Sequence, residues 1–204
     1  HLPFIVLSAL DTVCGIRCSD RAVSTARTRE TMLNFTQRII GALKLQPAVY
    51  EEVEADTGAT KQALAVVVIS SVATGLGVSH TSSLAALTAG ALAALLGWFI
   101  WAGLTYLIGT KILPEPQTKS DVGELMRTTG FASAPALFHL LARLPLIGGY
   151  VSFAVSVWML VAMVIAVRQA LDYKSTGRAV GVCLIGWLVY VAVAMFLGNL
   201  SELH

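Results

Sequence analysis

The sequence has little charge and few cysteines, and these shortages exclude several classes of protein. Only 13% of the 204 residues are charged and 56% are hydrophobic, whereas soluble domains carry about a quarter charged residues. The net charge of +2, with no basic run interleaved with aromatic residues, excludes nucleic acid as a partner. The three cysteines have no His or further Cys cluster beside them, so they predict neither a disulfide framework nor a metal site.

Catalytic motifs are also missing. The chain has no GxSxG, HExxH or phosphate-loop pattern, and no carboxylate lies within its long apolar runs. We therefore predict that the protein is not an enzyme, and we assign no catalytic, cofactor-binding or metal-binding residues. A membrane enzyme is the least favoured of three classes of function.

Long apolar runs are present instead. A bilayer core about 30 Å thick requires roughly 20 apolar residues in a helix. Runs of this kind, bounded by charged or turn residues, predict an all-α, polytopic membrane bundle with five transmembrane helices, over residues 62–78, 84–110, 130–149, 150–167 and 179–200.

The distribution of Lys and Arg predicts the orientation of these spans. Positive charges precede the first span and lie between the second and third and between the fourth and fifth, whereas the other connections carry almost none. Because cytoplasmic loops retain positive charge, we expect a cytoplasmic N-terminus and an external C-terminus. The residues expected to contact lipid headgroups on the cytoplasmic side are Arg38, Lys44, Arg168, Lys174 and Arg178.

The segment ahead of the spans divides into two parts. Residues 32–61 contain a short amphipathic helix, MLNFTQRIIGALKL, and an acidic juxtamembrane stretch. The helix either lies in the headgroup layer or packs on the ends of the spanning helices, because periodicity fits both. Residues 1–31 lack a sustained apolar period and predict a disordered or non-native extension, with Met32 as the natural start. Residues 62–204 form the membrane domain.

The third predicted span carries ionisable side chains and two prolines. His139 and Arg143 share one helix face and form a candidate intramembrane polar site. We favour a structural interpretation, in which Arg143 reaches the outer interface and His139 bonds to a neighbouring helix. The alternative is a transport path that also includes Ser133 and Ser156. Pro135 is expected to kink or break the helix.

A motif in the same span resembles a known family. Residues 130–135 read GFASAP, and this glycine, aromatic, proline spacing is similar to the signature of the Yip family of five-span membrane proteins, named in eukaryotes for binding Ypt/Rab GTPases. The order of an amphipathic start, an acidic stretch and the run WMLVAMVIAVRQALDYKSTGRAV resembles the bacterial branch. Eukaryotic members carry a motif of the Asp-Leu-Tyr-Gly-Pro type before the first span. In this sequence only Asp56 and Gly58, in the segment DTGAT, resemble it.

The resemblance implies a compact five-helix bundle without catalytic activity, in the inner membrane of a bacterium. Within it, Gly130, Phe131 and Pro135 are expected to be structural or partner-binding residues. Eukaryotic trafficking roles are not carried over, because a bacterial chain has no Rab to bind.

Two functions remain open. The first is a non-enzymatic protein that organises the bilayer or recruits a peripheral or integral membrane protein through its amphipathic helix and basic loops. The second is a small transporter or channel subunit, completed by homo-oligomerisation, that uses the polar path on the third span. The lipid bilayer is a partner in both.

Overall fold

All regular secondary structure in the described part of the chain is helical. A computed structural model describes residues 33–78 and 83–201, with side chains up to residue 192; the extension predicted for residues 1–31 lies outside the described residues. The helices, in chain order, are α1 (Phe35–Leu43), α2 (Pro47–Ala55), α3 (Ala59–Gly77), α4 (Leu84–Leu107, continued by a π-helical turn over Ile108–Ile112), α5 (Val122–Ala132), a 3₁₀ helix (Ala134–Arg143), α6 (Gly148–Ala170) and α7 (Thr176–Ser201).

Three of these helices are long and apolar enough to cross a membrane. They are α3, α4 with its π-helical turn, and α6, which contain 19, 29 and 23 residues, against the roughly 20 that a bilayer core requires. α7 has 26 residues, and it is apolar over its described stretch, Thr176–Ala192. The chain is therefore an all-helical protein with three long apolar candidate spans among the described residues.

The third predicted span is divided between two helices. α5 ends at Ala132, and after Ser133 the chain continues as the 3₁₀ helix. The break is expected, because Pro135 lacks the N–H that would continue the α-helix and its ring clashes with the preceding turn. The 3₁₀ form was not expected. At about 1.5 and 2.0 Å per residue, the summed length of the two helices is about 36 Å. A bilayer core is about 30 Å thick.

Hydroxyl groups add hydrogen bonds to the backbone at this break, where the Gly130 and Ser133 carbonyls also accept from the N–H groups of Ser133 and Ala136. The Ser133 hydroxyl donates to the Gly130 carbonyl at 2.7 Å, and the Ser70 hydroxyl of α3 donates to the Ser133 carbonyl at 3.0 Å. An unpaired carbonyl is costly in lipid because no water is present to bond it. The bond from Ser70 therefore ties α3 to the break.

Gly130 allows α3 and α4 to approach α5 closely. A Cβ at this position would lie 2.7 Å from the Cβ of Ala63 and 3.1 Å from the ring of Trp98. The Trp98 ring is held in place, because its Nε1–H lies 3.1 Å from the carbonyl of Met126 on α5. These contacts leave no room for a side chain at Gly130.

The other two residues of the motif are also buried in the bundle. Phe131 and Pro135 are inaccessible to solvent or nearly so, and the Phe131 ring meets the ring of Phe35 on α1 edge-on, with centroids 6.5 Å apart. The structure thus places all three motif residues at helix packing contacts. A partner-binding role for them stays a prediction.

A second buried cluster joins α7 to α6 and to the end of α4. Ile108, Val167 and Val182 are at its centre. The Tyr173 hydroxyl lies 2.8 Å from the carbonyl of Gly109 and 2.7 Å from that of Leu113. Tyr173 thereby provides a partner for carbonyl groups where α4 and its π-helical turn end.

Replacing Gly130 by alanine should destabilise the bundle by about 1–3 kcal/mol, the usual cost of forcing a methyl group into a packed contact. The matched control is Gly149→Ala, where an added Cβ would meet nothing within 4 Å. Thermal unfolding in one detergent should show a lower Tm for Gly130→Ala only. Equal Tm values for the two variants would contradict the packing described at Gly130.

Candidate functional site

A buried arginine holds the hairpin formed by α1 and α2. Arg38 is only 1% exposed, and its guanidinium donates to both carboxylate oxygens of Glu52, at 3.0 and 2.6 Å. It also donates to Asp56 at 2.6 Å and to Gln62, on the first turns of α3, at 2.7 Å. One side chain therefore connects α1, α2 and α3.

The electrostatics of this cluster favour the charged forms. Burial alone would lower the pKa of Arg38, but its hydrogen bonds to Glu52 and Asp56 raise it above the usual value. Burial alone would raise the pKa of Asp56, but Arg38 and the backbone N–H of Gly58 lower it. The Gly58 N–H donates to the Asp56 carboxylate at 2.8 Å, which forms the turn into α3. Asp56 and Gly58, the two residues that resemble the eukaryotic motif, therefore shape this turn.

A second arginine bonds the same C-terminal end of α2 through its carbonyl groups. Arg127 of α5 is only 6% exposed. Its Nε donates to the carbonyls of Val53 and Glu54, at 3.1 and 3.0 Å. Its Nη2 also donates to the Glu54 carbonyl, at 2.5 Å. A cation at the C-terminus of a helix bonds its free carbonyls and complements its dipole. The sequence showed Arg127 only as one of several positive loop residues.

The tip of the hairpin reaches the middle of α6. The Nε1–H of Trp158 donates to the carbonyl of Leu43, at the end of α1, at 3.1 Å. Trp158 is about 18 Å from Ala170, where α6 ends beside the hairpin, at 1.5 Å per residue. Ile40, one turn before the tip, is 45% exposed. The end of α1 therefore lies beside the apolar part of α6, and it presents an apolar side chain to its surroundings.

The five basic residues expected at lipid headgroups have different environments. Arg38 lies inside the fold rather than on the surface, because three acceptors compensate its charge. Arg168 is half-buried and donates to the Tyr173 carbonyl at 3.2 Å. Lys44, Lys174 and Arg178 are exposed.

Arg178 belongs to a polar cluster at the start of α7. Its Nη1 donates to the Pro114 carbonyl at 2.6 Å, and its Nε lies 3.6 Å from Glu115. The Glu115 carboxylate also accepts from the backbone N–H groups of Lys174 and Ser175, at 3.1 and 3.3 Å. Glu115 thus fixes the turn before α7, a role that no local pattern in its own segment indicates.

The candidate intramembrane pair is divided between two places. His139 is 8% exposed, and its Nδ1 lies 3.1 Å from the hydroxyl of Thr74, which itself donates to the Ser70 carbonyl at 2.9 Å. Arg143 is exposed at the far end of α3, where it donates to the Leu76 carbonyl at 3.1 Å. Their contacts fit the structural interpretation, in which His139 bonds to a neighbouring helix.

Of the remaining residues of the expected polar path, Ser133 does not join them, and Ser156 meets His139 only through the backbone of Ser152. Ser133 bonds the broken backbone and borders a cleft that neither His139 nor Arg143 lines. Ser156 is exposed and donates to the Ser152 carbonyl within α6. In the described ranges, no group of three or more His, Cys, Asp or Glu residues could hold a metal ion.

A carboxyl group with an unusual pKa lies where α2 meets α5. Burial raises the pKa of Glu54 to about 7, and the negative charges of Glu124 and Asp172 act in the same direction, whereas Arg127 opposes them. The contact between α2 and α5 therefore contains an acid that titrates near neutral pH.

The comparison with known proteins agrees with this architecture. Residues 44–197 match the Yip1 domain family, which is more than half of the chain, so the protein belongs to that family. No curated protein and no solved structure matches the chain. Membership, together with the three long apolar helices, indicates a non-enzymatic membrane protein. The family match also confirms the resemblance noted for the segment GFASAP at residues 130–135.

Removing the Arg38 charge should loosen the hairpin. Arg38→Gln leaves Glu52 and Asp56 unpaired, and the loss of one partner from a buried ion pair costs about 3 kcal/mol. Hydrogen exchange should then increase across α1 and α2 and remain unchanged in α6. Arg178→Gln is the control, because the Arg178 side chain is 47% exposed and its charge is screened by water. Unchanged exchange in Arg38→Gln would show that the cluster does not hold the hairpin.

Raising the pH from 6 to 8 should weaken the contact between α2 and α5. A carboxyl group whose pKa is raised from 4.5 to about 7 by folding stabilises the folded state fully below pH 4.5, and this contribution is lost as the pH rises through 7. Tm should therefore be lower at pH 8, and Glu54→Gln should reduce the difference. Lys61→Gln, an exposed change away from this contact, is the control. The assignment fails if both variants keep the difference found in the wild type.

Proposed function

We propose that this chain is a non-enzymatic membrane protein that organises the cytoplasmic leaflet, with the α1–α2 hairpin inserted into that leaflet as a wedge. One observation carries the proposal, the hydrogen bond from Trp158 to the Leu43 carbonyl at 3.1 Å. It supports a hairpin tip that reaches leaflet depth, instead of one resting on the ends of the spanning helices.

The composition of α1 supports this placement. Its inward face carries Arg38, Gly41 and Ala42, all buried, and Ile40 is turned outward. Exposed Lys44 follows at the tip, and a lysine there can direct its ammonium group toward the headgroup layer while its alkyl chain stays in the apolar region. An amphipathic helix buried in one leaflet binds in a manner sensitive to curvature and lipid composition.

The proposal includes five spans and a defined orientation. α3, α4, α5 with the 3₁₀ helix, α6 and α7 would each cross the bilayer, in the inner membrane of a bacterium. The end carrying the hairpin would be cytoplasmic, because exposed Lys44, Lys174 and Arg178 lie there, and positive charge is retained on that side. These residues, with Arg168, would contact anionic headgroups. The surface they form is also the proposed place for a peripheral or integral membrane protein partner.

Transport has less support. His139 is engaged with Thr74, and Arg143 bonds backbone at the opposite end of the bundle from the hairpin. The transporter hypothesis required these side chains to share one polar path, and their contacts do not favour that arrangement.

The test uses the full chain in giant vesicles of neutral and anionic phospholipids, from which thin membrane tubes are pulled. The wild type should be enriched in the tubes relative to the flat membrane, because a wedge in one leaflet favours the curved surface. Ile40→Asp should lose most of this enrichment, since a carboxylate cannot remain in the apolar layer.

Thr36→Asp is the matched control. It adds the same charge one turn earlier on the exposed side of α1, nearer to the polar cluster of Arg38. It should therefore keep the enrichment. The proposal is wrong if the wild type shows no enrichment, or if Ile40→Asp is enriched as strongly as the wild type.

A further inference from the structure

We propose that a cleft in the middle of the bundle binds one acyl chain of a bilayer lipid. The cleft has a volume of about 670 Å³ and lies between α3, α4 and α7, with α6 and the break after α5 at its base. Its small and aromatic lining residues on α4 and α7 are Gly90, Ala93, Ala94, Gly97, Trp98, Trp101, Trp187 and Tyr190.

The α4 wall of the cleft faces open space. A Cβ added at Gly90 or at Gly97 would meet nothing within 4 Å. Small residues at this spacing, Ala86, Gly90 and Ala94, are typical of a helix face that packs closely against another helix, within one chain or between two. At Gly90 no such contact forms within the described residues. Space of this size inside the apolar layer favours an apolar occupant, because the hydrocarbon core contains no bulk water to fill it.

Several polar groups around the cleft are already bonded within the protein, whereas the N–H of Trp101, which also lines it, has no partner among the described residues. The Ser71 hydroxyl donates to the Val68 carbonyl at 2.8 Å, and the Thr74 hydroxyl donates to the Ser70 carbonyl at 2.9 Å. The Trp98 N–H is bonded to the Met126 carbonyl. None of the described residues that line the cleft is charged. This lining suits an uncharged hydrocarbon better than an ion or a polar solute.

The dimensions favour a chain over a helix. An α-helix with its side chains is about 10 Å across, so a volume of 670 Å³ would contain less than about two turns of one. Sites for single small molecules are typically about 300–1,000 Å³. The lining residues of α4, between positions 90 and 101, lie in the central part of that helix, and those of α3, between positions 67 and 75, run from its middle toward its C-terminus.

Two methionines allow the cleft to adapt to a flexible occupant. Met159 and Met163 of α6 form its floor, and methionine side chains fit irregular apolar shapes because they are unbranched and polarisable. Trp187 and Tyr190 are more than half exposed at its opening. This inference does not depend on the hairpin wedge, because the cleft shares no residue with α1 or α2.

The experiment counts retained lipid by native mass spectrometry. The full chain is equilibrated in nanodiscs of palmitoyl-oleoyl phosphatidylcholine, transferred to a mild detergent and sprayed. The wild type should retain one lipid per chain. Gly97→Leu, which fills the cleft from a position with open space, should reduce the retained fraction at least fivefold. Gly103→Leu is the matched control on the same helix, because it also has open space around it and does not line the cleft.

Three outcomes would overturn the inference. The first is a wild type that retains no lipid, and the second is equal lipid retention in the wild type and Gly97→Leu. The third is a wild-type dimer that Gly97→Leu converts to a monomer, because this would assign the cleft to a second copy of the chain. If Gly97→Leu does not fold, Ala93→Phe decides, since Ala93 is an exposed lining residue of the cleft. A Lys44→Gln, Lys174→Gln variant should retain the lipid, which separates chain binding from headgroup binding.

Discussion

The guanidinium of Arg38 is the interaction on which the arrangement of the hairpin depends. Moving a charge out of water costs several kcal/mol unless acceptors replace its hydration, and here Glu52, Asp56 and Gln62 supply them. Because they belong to α2, to the turn after it and to α3, the cost can be recovered only when all these segments meet. A single buried charge therefore determines how the chain enters its first span.

A constraint of a different kind shapes the membrane part. Backbone polar groups must find partners inside the protein when no water is present, and Pro135 removes one backbone donor from the third predicted span. The hydroxyls of Ser70 and Ser133 add hydrogen bonds at the break. The helices can approach closely because Gly130 and Gly77 have no side chains. A Cβ at Gly77 would lie 1.8 Å from the His139 carbonyl. His139 is thus part of the packing between α3 and the 3₁₀ helix. The resulting bundle supports the hairpin on one side and leaves the cleft beside α4 on another.

Local patterns predicted some elements well and others poorly. The apolar runs located α3, α4, α6 and α7 to within several residues, because a bilayer imposes the same length on each. The start of α5 was missed, since Glu124 and Arg127 make its first turns look like loop. A local signal was present: Asp121 and Glu124 form a capping box at the start of this helix, a pattern readable from sequence. No local signal indicates that Arg127 bonds the end of α2, because its partners are far away in the chain.

The sequence by itself determined that this is a helical membrane protein of the Yip1 domain family, without a recognisable catalytic motif, and that Pro135 interrupts one of its helices. Hydropathy and proline geometry act over a few turns of chain, so they can be read without knowing the fold. Only the tertiary structure decided that Arg38 is buried while Lys44 is exposed, that the tip of α1 meets Trp158, and that α4 leaves a cleft. The reason is that the solvation of a charge and the filling of space depend on groups from distant segments, which meet only when the chain has folded.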